Sequence, residues 1–101
     1  MAYYIMLTRL SHEALKSPGS LAELSRKVTD RIEAECPAVS WRSSYVVLGP
    51  CDYLDIFEAP DNDTATKVAT IIRTFGHATT EIWAATEWGK FKDLVRTLSG
   101  R

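Results

Sequence analysis

Val46-Val47-Leu48-Gly49-Pro50-Cys51-Asp52-Tyr53-Leu54-Asp55-Ile56-Phe57-Glu58-Ala59-Pro60 is an apolar run, a Gly-Pro break and an alternating run closed by a second proline. β-Branched and aromatic residues on both sides of such a break read as a β-hairpin. Successive strand side chains point to opposite faces, so Asp52, Leu54, Ile56 and Glu58 share one face of the second strand and Tyr53, Asp55 and Phe57 the other. On the first strand the same rule groups Trp41, Ser43, Tyr45 and Val47 against Arg42, Ser44, Val46 and Leu48. Neither face is simply polar. A sheet of this kind is expected to be covered on both sides, by helices of its own chain on one and by something else on the other.

Working outward, Tyr3 to Leu10 reads as a strand with Tyr3, Ile5 and Leu7 on one face and Tyr4, Met6 and Thr8 on the other. Ser11 to Gly19 holds His12, Pro18 and Gly19 and reads as a helical turn or loop. Ser20 followed by Glu23 has the form of a capping box, and Leu21, Leu24, Val28 and Ile32 recur at helical spacing after it. That helix is expected to end before Pro37. Beyond the hairpin, Pro60-Asp61-Asn62-Asp63 offers N-cap residues; Ala65, Val68, Ala69, Ile72 and Phe75 form an apolar stripe that Gly76 closes. Residues 77–86 return as a strand, with Ile82 and Ala84 facing one way and Glu81, Trp83 and Ala85 the other. Residues 87–98 read as an amphipathic helix with Trp88, Phe91, Val95 and Leu98 on its apolar side.

Two strand-helix-strand units joined by a hairpin predict an α+β protein. The expected arrangement is a ferredoxin-like βαββαβ sandwich with a four-stranded antiparallel sheet, two helices on one face and an extra C-terminal helix. At 101 residues this is one domain, 1–101, large enough for a single core. A net charge of −1 with scattered Lys and Arg argues against a polyanionic partner, nucleic acid or membrane. The N-terminal apolar run breaks at Thr8-Arg9, too short for a signal peptide or a span, so a cytoplasmic location is expected. Cys36 and Cys51 lie outside any metal-ligand spacing and read as reduced structural thiols.

The element order and the residues around the turn resemble the GYD domain family of small proteins. Tyr4-Ile5-Met6-Leu7-Thr8-Arg9-Leu10, Leu48-Gly49, Asp52, Glu58-Ala59-Pro60-Asp61, Thr80-Glu81 and Ala84-Ala85-Thr86 carry the resemblance, which covers nearly the whole chain. That family takes its name from a Gly-Tyr-Asp signature at the hairpin; Gly49 and Asp52 stand at the places of the signature's glycine and aspartate, and Cys51 at that of its tyrosine. The resemblance implies a ferredoxin-like fold assembling into a dimeric α+β barrel, and little about activity.

The face opposite the helices is expected to display Trp41, Tyr45, Tyr53, Asp55, Phe57, Glu81 and Trp83, joined by Tyr4 and Met6. An apolar patch of this size marks an interface or a ligand site. The plainer reading is a homodimer interface, sheet on sheet. The functional reading, compatible with it, is a site for a small hydrophobic or aromatic metabolite lined by Trp41, Tyr45, Tyr53, Asp55, Glu81 and Trp83. Asp55 and Glu81 are the candidate general acid or base, a carboxylate among aromatics being paired, solvated or protonated. Their plainer role is an ion pair with Arg9, Arg42 or a partner's cation. His77 is the candidate proton shuttle; more plainly, it is a solvated imidazole near a helix C-terminus.

His12 and His77, the only imidazoles, have no metal-ligand spacing, and no Gly-rich loop precedes a helix, so neither a metal nor a cofactor is expected. Two functions follow: a homo-oligomeric module that binds a small metabolite, or a cofactor-independent oxygenase, isomerase or decarboxylase. The second rests on fold analogy. RNA binding is disfavoured, because the third strand lacks a basic-glycine-aromatic signature and carries Asp55 where a phosphate backbone would pass.

Overall fold

In the computed structural model, which describes residues 1–98, the chain runs β1 (Ala2–Leu10), α1 (His12–Leu15), a 3₁₀ turn, α2 (Leu21–Glu35), β2 (Ser40–Val46), β3 (Tyr53–Ala59), α3 (Asn62–Thr74), β4 (Ala78–Ala85) and α4 (Trp88–Arg96). The four strands form one antiparallel sheet in the order β2-β3-β1-β4. This is the ferredoxin-like α+β arrangement with an added C-terminal helix.

The helix starts follow two different chemistries. Asp61 sits in extended backbone and its carboxylate accepts from the Thr64 N–H at 2.8 Å, a side-chain cap that opens α3. Gly76, with φ of 75°, follows that helix in the left-handed conformation glycine adopts freely. Ser20, by contrast, caps nothing. The 3₁₀ turn Pro18–Ser20 delivers it already in helical backbone, so the capping box read from Ser20 and Glu23 is not formed.

α3 buries Ala65, Val68, Ile71 and Ile72 against the sheet. They join Tyr4, Met6, Phe57 and Ala59 in one core with Ile32 and Cys36. α2 is seated through its C-terminal half: Ile32 and the capping Cys36 are buried and Val28 packs half-buried against the core, whereas Leu21 and Leu24 are half-exposed and outside it. The helix stops at Glu35, before Pro37, as the proline requires.

Register assigns the faces, and it divides the expected patch. Tyr4 pairs with Phe57 and Ala84, Met6 with Asp55 and Ile82, Thr8 with Tyr53 and Thr80. All of these belong to the inner face, beneath the helices. Ile5 pairs with Ile56 and Trp83, and Leu7 with Leu54 and Glu81, on the outer face. In β2 a bulge at Arg42 lets Trp41 pair with Phe57 and Ser43 with Ile56. The extra residue reverses the parity of the strand, so Trp41 faces inward while Tyr45, opposite Leu54, faces outward. The expectation that Trp41, Tyr45, Tyr53, Asp55, Phe57, Glu81, Trp83, Tyr4 and Met6 share the helix-free face is therefore corrected. Trp41, Tyr53, Asp55, Phe57, Tyr4 and Met6 lie under the helices, and Tyr45, Glu81 and Trp83 lie on the outer face.

The hairpin loop is also longer than a two-residue turn, spanning 47–52. Gly49 takes a φ of 139°, a region closed to most side chains. Asp52 ties the loop to β1: its backbone N–H donates to Thr8 O at 2.9 Å, and its carboxylate accepts from Leu10 N–H at 2.7 Å. Cys51, at the place of the signature's tyrosine, is buried and free, and its thiol donates to Tyr53 O at 3.4 Å.

Candidate functional site

Because α2 is seated at one end only, its N-terminal half stands off the sheet. The space between them is a cavity of about 370 Å³, within the range of small-molecule pockets. Leu21, Leu24 and Val28 form its roof, Met6, Thr8, Tyr53 and Asp55 its floor, and Trp41 one wall; Phe75 and Ala78 close it behind α3. Ser25 and Thr29 also reach it from α2, as does Ser44 from β2. The surroundings are apolar with a few hydroxyls and one carboxylate.

Trp41 is held in place by a stack of rings across three strands. Its ring lies 5.2 Å from that of Phe57 at an interplanar angle of 10°, and Phe57 lies 5.5 Å from Tyr4 at 21°. The Tyr4 hydroxyl in turn donates to Asn62 Oδ1 at 2.6 Å, anchoring the stack to the start of α3. Phe57 is fully buried, so the stack is rigid at its centre. The exposed edge of Trp41 carries Nε1, which donates to Ser44 Oγ at 2.9 Å and, at 3.3 Å, to Asp55 Oδ1.

Asp55 sits in the floor between Met6 of β1 and Ser44 of β2. Burial pushes its pKa above the ordinary carboxylate value, and the hydrogen bonds from Ser44 and Trp41 offset part of that rise. The neighbouring Tyr53 hydroxyl is also pushed up, by burial first and then by the charges of Asp52 and Asp55. No lysine or arginine pairs with Asp55 among the described residues. Arg42, expected as its partner, is paired with Glu58 on the outer face, and Arg9 donates to Pro50 O at 3.1 Å. The carboxylate therefore presents an unneutralised acceptor to the cavity.

The structure brings five of the candidate site residues to this cavity: Trp41, Tyr45, Tyr53, Asp55 and His77. His77 is exposed at the rim, one residue after Gly76, with its backbone carbonyl accepting from Ser11 N–H at 2.7 Å. Tyr45 borders the cavity from the edge strand, at a position whose register belongs to the outer face. Glu81 and Trp83 are on the opposite side of the sheet and do not reach it. The roof residues Leu21, Leu24 and Val28 had the periodicity of an ordinary core stripe. The signal available in the sequence is Ser25 and Thr29, hydroxyls that interrupt the apolar face of α2; Ser44 opposite Asp55 emerges only from the register. Among the described residues no cluster of three or more His, Cys, Asp and Glu side chains could hold a metal ion.

On the outer face Ile5, Leu7, Leu54 and Ile56 are half-buried, while Tyr45 and Trp83 are about half exposed. Glu58 and Glu81 are its carboxylates. The expectation that Asp55 stands on an open face, where a phosphate backbone would pass, is corrected: that residue is under α2, and on the open face Glu58 is paired with Arg42.

A family model described as GYD domain matches residues 4–95. No match was found among curated proteins or among solved structures.

Proposed function

The chain belongs to the GYD domain family, and from that premise we propose that it binds a small hydrophobic or aromatic molecule in the cavity between α2 and the sheet. The observation that carries this reading is the cavity itself: about 370 Å³ lined by apolar side chains, with a flat indole as one wall and an unneutralised carboxylate in the floor. A planar ligand would stack on Trp41 while a donor group, a hydroxyl or an amine, faces Asp55 Oδ1. Tyr53 and Ser44 add orienting hydroxyls. The half-exposed Trp83 and Tyr45, with Ile5, Leu7, Leu54 and Ile56, support homodimerisation through the outer face, and the two free cysteines fit a cytoplasmic setting. No helix among the described residues is long and apolar enough to cross a membrane.

The test is a titration of the protein with small aromatic amines, phenols and carboxylic acids, followed by amide and indole NMR resonances. Binding in the cavity moves the Trp41 indole N–H and the amides of Ser44 and Asp55, and Val28→Phe, which fills the space under α2, abolishes it. Shifts centred on Trp83, Tyr45 and Glu81 would contradict the reading, as would unchanged binding by the filled variant.

The same carboxylate favours a second reading, cofactor-independent proton transfer. A carboxyl whose pKa is raised by burial can accept a proton from a bound ligand and return it, with His77 at the rim to exchange protons with solvent. On that reading Asp55→Asn removes turnover while an uncharged ligand still binds.

A further inference from the structure

Among the described residues, α4 makes at most isolated contacts with the other elements of its own chain. Trp88, Phe91, Leu94, Val95 and Leu98 fall in a single stripe at helical spacing, and all five are exposed, Trp88 and Leu98 at 69% and Phe91 at 44%. The two rings lie 5.1 Å apart, so the stripe is preformed. A nine-residue helix with Gly89 in its first turn has too few hydrogen bonds to hold itself in water. Something must cover it.

We propose that α4 is an arm that docks on a second copy of this chain. Three observations favour that occupant. The first is shape: the radius of gyration is 15.8 Å and the axes are 55 × 30 × 17 Å, against about 13 Å expected for a compact domain of this length. The chain is a thin two-layer slab with projecting parts. The second is area. A buried aromatic residue removes about 150–250 Å², so the exposed portions of Trp88 and Phe91 with three aliphatics, added to the outer sheet face, reach the order of 800 Å² per chain that a stable dimer buries. A two-fold axis makes every such contact twice.

The third is charge. Lys92 and Arg96 flank the stripe on one side and Lys90 on the other, and among the described residues neither Lys90 nor Lys92 has an ion-pair partner. Glu81 on the outer sheet face also lacks one among the described residues, whereas Glu58 on that face is paired with Arg42. A basic-rimmed apolar stripe and an apolar face that carries the unpaired Glu81, both present on each copy, complement one another. An anionic membrane would suit the stripe but leave Glu81 without a cation.

The docking of α4 depends on the proposed homodimer only through the premise that the chain self-associates. The test is hydrogen–deuterium exchange of the full chain at high and low protein concentration, with the assembly mass measured in parallel by analytical ultracentrifugation. The expected result is a dimer in which the amides of 91–96 are protected, and loss of that protection on dilution. Phe91→Asp weakens dimerisation about tenfold or more and leaves exchange in α3 and β1 unchanged, which separates lost docking from lost folding. A dimer whose α4 amides exchange as fast as a free peptide would overturn the arm and leave the sheet-face dimer standing. A monomer at every concentration would overturn both. Protection that appears only with phosphatidylserine vesicles would assign the stripe to a membrane and overturn the proposal.

Discussion

Asp55 is a residue whose surroundings can be tested by titration. Burial raises its pKa in the folded state, so the folded protein holds that proton to higher pH than the unfolded chain does. The stability this confers is fully present below the ordinary value of 3.8 and is lost as pH rises through the raised folded value. Asp55→Asn, which keeps an oxygen for the Trp41 indole, should therefore be more stable than the parent at neutral pH, with the difference closing in acid. Thermal unfolding across pH measures it; a difference independent of pH, or one that grows in acid, would show that Asp55 is not desolvated. The prominence of Asp55 was legible in the sequence, as a carboxylate within an aromatic strand. Its partners were not, because Arg42 lies in the bulge and turns outward to Glu58.

Single-residue irregularities decide what the elements do. The strands, the stop of α2 before Pro37 and the cap of α3 at Asp61 followed from local chemistry that sequence displays. The β2 bulge did not, since Trp41-Arg42-Ser43-Ser44-Tyr45 reads as an uninterrupted alternation and a bulge has no requirement for glycine there. That one inserted position sends Trp41 to the cavity and Tyr45 to the open face. Likewise Leu21, Leu24, Val28 and Ile32 form one stripe on paper, yet only the last is buried. The anchoring of α2 at one end is measurable. Ile32→Ala should cost about 2–5 kcal/mol, whereas Leu24→Ala, already facing open space, should cost under about 1.5 kcal/mol. Urea denaturation compares the two, and equal losses would mean that α2 lies flat on the sheet and that the cavity is absent.

At the scale of the whole molecule, one sheet serves two surfaces. Its inner face carries the Tyr4–Phe57–Trp41 stack and the cavity floor; its outer face carries Ile5, Leu7, Leu54, Ile56 and Trp83, which the chain leaves half-buried or exposed. The ferredoxin-like order was readable because two strand-helix-strand units around a hairpin allow few topologies. Which face held which aromatic was not, because parity along one strand says nothing of its alignment with the next. Gly49 and Asp52, the signature positions retained here, explain themselves through the loop backbone and its tie to Leu10 rather than through chemistry.

Native mass spectrometry of the freshly purified protein tests the central claim most directly, because one spectrum reports both subunit count and any small molecule held in the cavity. The expected spectrum is a dimer carrying the added mass of one small molecule per chain, lost in Val28→Phe. A bare chain that takes up no small aromatic compound on incubation would contradict the account.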